Sequence, residues 1–277
     1  MNTQIEPFAE LVSREQFDLG RACIMIGQDV YPELDVEACM TQIEAMAATL
    51  RTRFSADAFA EQRLAALNHY LFNEQRFVGN ADDYYDPRNS YLSDVLARRK
   101  GIPITLSVLY LELGRRIGLA LHGVAFPGHF MVKLQLRRGQ LILDPFSSGL
   151  PQSETELRQR LGLVLKDGRA KSMPLDEFLD AATPRQTVTR LLRNLKNVYM
   201  NANKHEHALD VMHRMLLVVP EAVEELRDRG LLYAQLDCFR AASGDLQNYL
   251  RRRPDAPDAT EIHGRVVELK QAAARLN

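Results

Sequence analysis

The sequence predicts an α+β domain over residues 1–182, opening with a helical bundle, followed by an all-α domain of paired helices over residues 183–277. Three observations predict it. The stretch Gly101 to Phe146 reads as a buried helix, a turn, and strands that bring a histidine and an aspartate towards one place. Apolar residues at helical spacing fill most of the chain before it. Beyond residue 183, residues of matching kind recur with a period of 34.

The elements follow in order. Asp18–Leu19 to Met25–Ile26 is a short apolar helix containing Cys23, and Val30 to Asp35 is a turn. Asp35 suits the N-cap of a second helix carrying Ile43, Met46, Ala47 and Leu50, because its carboxylate can accept from a free first-turn N–H. A third helix is expected from Ala58 to Gln75, with Leu64, Leu67 and Leu71 on one face. Gly79 to Tyr91 is a polar loop rich in turn formers, and its Asp82, Asp83 and Asp86 lack the glycine and terminal glutamate of a calcium hand. Arg98, Arg99 and Lys100 are read as solvated or paired with those aspartates.

Gly101-Ile102-Pro103 starts the central helix, where a proline forfeits no hydrogen bond. Leu106, Val108, Leu109, Leu113 and Ile117 wrap most of its circumference, as in a helix surrounded by other elements. Arg115 and Arg116 in the last turn and Gly118 just beyond end it. Strands are expected over Ala120–Phe126, Phe130–Leu136 and Leu141–Leu143, with His129 heading the second and Asp144 closing the third. A helix from Ser153 to Leu161 follows, with a capping signature at Ser153 and Glu156.

Past Thr183, Tyr199 and Tyr233, Ala208 and Ala242, Met212 and Leu246, and Pro220 and Pro254 stand 34 residues apart. This is the tetratricopeptide period. The small alanine lets two helices approach, the proline ends the second, and a last helix from Ala259 to Leu276 covers the array. Such repeats present a surface for a protein or peptide partner, or simply pack on the preceding domain. Lys204-His205-Glu206-His207 is placed at the turn between helices of one repeat and is not taken as a metal site.

Asn89-Ser90-Tyr91-Leu92, Arg98 to Ile104, Gly118-Leu119, Pro127-Gly128-His129-Phe130 and Asp144-Pro145-Phe146, in this order and spacing, resemble the transglutaminase-like core of papain-type folds. The wording is similar to its bacterial SirB-type branch, in which tetratricopeptide repeats follow the core. The resemblance implies a cysteine nucleophile at the central helix N-terminus, a histidine base and an aspartate that orients it. His129 and Asp144 match the last two. The cysteine position falls at Pro103, and no cysteine lies between Cys39 and Cys238. A thiol there would be activated by the helix dipole and the imidazole; a proline has nothing to activate.

Thr105 and Ser107 are the hydroxyls available as substitutes. Helix residues turn by about 100° each, so Thr105 projects opposite Pro103, and Ser107 shares its face about 6 Å deeper. A base must come within roughly 2.6–3.2 Å, so both are read first as hydroxyls bonded back to the preceding turn. His129 and Asp144 are either a retained pair in a cleft or a buried pair that satisfies itself. Asn89 and Tyr91 are candidates for the cleft rim.

A net charge of −1 from 35 basic and 36 acidic residues argues against nucleic-acid or membrane-surface binding. No apolar run reaches membrane-spanning length. Three scattered cysteines, Cys23, Cys39 and Cys238, read as reduced core thiols of a cytoplasmic protein. No cofactor or metal is expected. Two functions fit. One is a pseudoenzyme acting as an adaptor or regulator through protein contacts, which the resemblance would place in bacterial regulation. The other is an amide-bond hydrolase or acyl transferase using Ser107 or Thr105 with His129 and Asp144.

Overall fold

The structure is a computed structural model describing residues 5–136, 139–165 and 173–275. The chain divides into two compact units, Met1–Leu191 and Leu192–Asn277.

The first unit begins with α1 (Ile5–Ser13), α2 (Leu19–Met25), α3 (Val36–Arg51) and α4 (Ala60–Asn68). Asp18 caps α2 by accepting from Arg21 N at 2.8 Å, and Asp35 caps α3 by accepting from Ala38 N at 2.9 Å. The third predicted helix is two pieces: after α4 the chain widens into a π-helical stretch, His69–Glu74. The polar loop carries structure of its own. Its first strand, β1 (Val78–Gly79), pairs in parallel with β2 (Lys100–Gly101), and α5 (Leu92–Arg98) lies between them in sequence. Two-residue strands have no readable period. Arg98 reaches back to Asp86 at 3.1 Å.

The spine is α6 (Pro103–Arg116), buried along nearly its whole length. Gly118, at φ +76°, supplies the left-handed residue that stops it. An antiparallel sheet follows in the order β6-β5-β4-β3-β7: β3 (Leu121–Val124), β4 (Met131–Gln135), β5 (Gln140–Asp144), β6 (Leu150–Pro151) and β7 (Ala181–Ala182). Strand alternation gives the sheet two apolar faces. Leu121 and Gly123 close on Gly114 and Leu111 of α6. Val124, Met131 and Ile142 form a second cluster with Leu157 and Leu161 of α7 (Glu154–Val164). Ser153 caps α7, as its sequence signature predicts.

The helix α8 (Pro184–Asn201) leads into the second unit, which continues with α9 (His205–Val218), α10 (Val223–Gln235), α11 (Phe239–Arg252) and α12 (Ala259–Arg275). The repeat spacing becomes contact here: fully buried Ala242 lets α11 approach α10, and a Cβ on Gly230 would lie 2.8 Å from Leu246. Ile262, Val266 and Leu269 of α12 cover that core. His205 to His207 form the first turn of α9 instead of an inter-helix turn, and the His207 ring tilts against Tyr199 at 4.9 Å between centroids.

The cysteines do not share one fate. Cys23 is a core thiol, Cys39 is half-buried, and Cys238 is exposed at the start of α11. The expectation of three core thiols therefore fails for Cys238, because the residue precedes the apolar stripe of its helix instead of joining it. Among the described residues, no helix is long and apolar enough to cross a membrane.

Candidate functional site

The register of β4 and β5, which sets Val132 opposite Leu143, brings the start of one strand against the end of the other. His129 precedes β4 in a turn where its N–H donates to Phe126 O at 3.1 Å. Asp144 ends β5 and caps the 3-10 turn Pro145–Ser147, accepting from Phe146 N at 3.0 Å. The two side chains meet with His129 Nε2 2.9 Å from Asp144 Oδ1. On the other carboxylate oxygen, Ser147 Oγ and Arg160 Nη2 each donate at 3.0 Å. The Asp144 side chain is 0% exposed, His129 11% and Arg160 34%.

Burial alone would raise the Asp144 pKa, but donation from His129, the imidazole charge, the Ser147 hydroxyl and the Arg160 guanidinium hold it below the usual carboxylate value. An ionised carboxylate only accepts, so a ring proton sits on Nε2 and donates to Asp144. What faces Nδ1 is Arg160 Nη1, 3.5 Å away. Sequence reasoning missed Arg160. Its one signal is a cation immediately beside Leu161, on the stripe that α7 turns to the core.

Aromatic rings lead outward from this cluster. Phe146 meets the His129 ring edge-on at 6.1 Å, Tyr84 meets Phe146 at 6.4 Å, and Tyr85 meets Tyr84 at 5.4 Å. A Cβ at Gly79 would fall 2.6 Å from the Phe146 ring, so only glycine admits the ring there.

The candidate hydroxyls lie elsewhere. Thr105 Oγ1 donates to Asn89 O at 2.7 Å and accepts from Ile102 N at 3.1 Å, closing the first turn of α6. Ser107 Oγ is buried and, among the described residues, has no hydrogen-bond partner. The expected back-bond therefore holds for Thr105, which also stands 3.1 Å from Ile102 O, and not for Ser107. Neither hydroxyl bonds to His129. Pro103 is buried at the first position of α6. Cys23 is also a poor substitute: burial, with Glu112 and Asp18 nearby, pushes its thiol pKa far up.

Asn89 and Tyr91 are not on a cleft rim, because both are buried. Asn89 Nδ2 donates to Asp83 O at 2.7 Å and its Oδ1 accepts from Asn80 Nδ2 at 3.0 Å, so it ties the polar loop together. Tyr91 packs edge-on against Tyr31 at 6.1 Å. A polar residue in a loop looks exposed in sequence; here the loop folds over it. Among the described residues, no three His, Cys, Asp or Glu side chains group as metal ligands.

Residues 37–193 match the family model of the transglutaminase-like superfamily, and residues 195–266 match a tetratricopeptide repeat. A UPF0162 protein of Xylella fastidiosa (strain 9a5c) is 40% identical over 262 residues, spanning 93% of this chain and 92% of its own. Protein SirB1 of Salmonella typhimurium is 29% identical over 241 residues, spanning 86% of this chain and 84% of its own. A crystal structure of menin matches 95% of this chain and 73% of its own at 11% identity, but its TM-score of 0.42 is too low to build on.

Proposed function

The chain belongs to the transglutaminase-like superfamily, in its SirB-type branch with tetratricopeptide repeats behind the core, and on that premise we propose that it is a non-catalytic adaptor or regulator working through protein contacts. One observation carries the reading. The imidazole nitrogen that would serve a nucleophile faces the Arg160 guanidinium, with Thr105 engaged by backbone and Ser107 unbonded to the ring. A guanidinium is a permanent cation and cannot be deprotonated by imidazole at neutral pH. The pair His129–Asp144 is then a recognition element. Tetratricopeptide arrays generally mediate contacts between proteins, so the second unit supplies a further surface of the same kind. A place in the cytoplasm and a part in bacterial regulation complete the proposal, the first from the scattered thiols and the second from the family resemblance.

The test is turnover. The purified full chain is incubated with peptide esters, peptide amides, and glutamine peptides with an amine acceptor. No product above the level of the His129→Ala variant is expected. Product formation that disappears in His129→Ala, and in either Ser107→Ala or Thr105→Ala, would establish an enzyme and overturn the reading.

A further inference from the structure

Around the His129–Asp144–Arg160 cluster the chain exposes apolar side chains that its core does not use. Leu163 and Val164 end α7 facing outward, and Val164 Cγ2 lies 2.8 Å from where a Cβ on Gly128 would be. Leu150, opposite Asp144 in the β5–β6 register, is also exposed. Tyr84 and Tyr85 extend the ring series from Phe146 towards solvent, with Tyr85 67% exposed. Scattered apolar residues on a surface need no explanation, whereas several gathered around one polar centre mark a contact site.

That polar centre is one-sided. Its anion, Asp144, is closed off by His129 Nε2, Phe146 N, Ser147 Oγ and Arg160 Nη2. The neighbouring Glu156 turns its carboxylate onto Ser153, accepting from N at 2.7 Å and from Oγ at 2.6 Å. The member of the cluster that is most exposed is the Arg160 side chain, at 34%; its Nη2 is on Asp144 and its Nη1 beside the His129 ring, which leaves the Nε edge without a hydrogen bond among the described residues. A guanidinium edge with free N–H groups matches a carboxylate in two parallel bonds.

We propose that this collar docks an extended segment of a partner protein in which a carboxylate, from a side chain or the chain end, is flanked by large apolar residues. The carboxylate meets Arg160 beside His129; the apolar neighbours cover Tyr84, Leu150 and Val164. This assignment rests on the non-catalytic reading above and names the ligand class for the same site.

The experiment uses the full chain and dye-labelled peptides read by fluorescence anisotropy. One pair is Gly-Ala-Leu-Asp-Phe-Leu amide and its Asn counterpart. A second pair is Gly-Ala-Leu-Phe-Leu with a free or an amidated C-terminus, which separates a side-chain carboxylate from a chain end. Within at least one pair, the acid is expected to bind about tenfold or more tightly than its neutral form, the scale of one charge-assisted hydrogen bond. Arg160→Gln removes that preference and Arg160→Lys retains part of it. The exposed pair Leu163→Ser and Val164→Ser weakens acid and neutral peptides alike without touching the core. The ring 15N resonances of His129 shift with the acid peptides alone. Equal binding within both pairs, or no binding at all, overturns the docking site while leaving the adaptor reading standing. Cleavage or amine exchange of the bound peptide overturns both.

Discussion

Replacing Asp144 by Asn tests the centre of the site directly. The carboxylate is fully buried and accepts from His129, Phe146 N, Ser147 and Arg160. An amide of the same shape keeps acceptance on one oxygen and turns its own N–H groups towards Ser147 and Arg160. Removing one partner of a buried ion pair costs about 3–5 kcal/mol. Arg160 and His129 reach water, which relieves part of that, so a loss of about 2–4 kcal/mol is expected. The chain has no tryptophan and comprises two compact units, so a single melting curve is a poor reporter. Amide hydrogen exchange separates the signals: protection in β4 and β5 falls, while α10 and α11 serve as an internal reference. The pH dependence has a definite sign. The folded Asp144 pKa is depressed, so its stabilisation is complete above the unfolded value of about 3.9 and is lost as pH falls through the folded value. The gap between wild type and Asp144→Asn should therefore be full at pH 6 and shrink at low pH. A loss below about 1 kcal/mol at pH 6, or a gap that widens on acidification, would refute the reasoning.

Three further outcomes are expected. Thr105→Val leaves Ile102 N without its acceptor and Asn89 O without its donor, costing about 1–2 kcal/mol in chemical denaturation of the first unit, with Thr105→Ser restoring most of it. Ser107→Ala removes a buried hydroxyl that has no partner among the described residues, so stability should be unchanged or slightly higher; a loss above about 1 kcal/mol would mean the hydroxyl has a role in the native state. Ala242→Leu forces bulk between α10 and α11, where Ala242 is fully buried, and should cost about 1–3 kcal/mol, seen as faster exchange in those helices with β4 and β5 unaffected.

The linear sequence already determined the parts of the molecule that rest on local rules. Pro103, the Arg115–Arg116 pair and Gly118 bounded α6 because initiation, charge at the last turn and a left-handed stop are encoded within a few residues. Asp35 and Ser153 marked their caps for the same reason. The 34-residue recurrence of Ala208 and Ala242 announced paired helices, since a close helix crossing needs a small residue whatever surrounds it. His129 and Asp144 were legible as residues at two strand ends. The tertiary structure decided what those ends meet. Arg160 comes from a helix beyond β5, and its approach to Nδ1 depends on how α7 lies across the sheet, which no spacing encodes. The burial of Asn89 follows from a loop folding over its own polar residue, and the two-residue strands β1 and β2 exist because distant segments supply each other's hydrogen bonds. Thr105 and Ser107, both hydroxyls inside one helix, differ because the Asn89 carbonyl reaches the first and, among the described residues, no partner reaches the second. Local propensity places a residue on an element; only the packing of elements selects its partners.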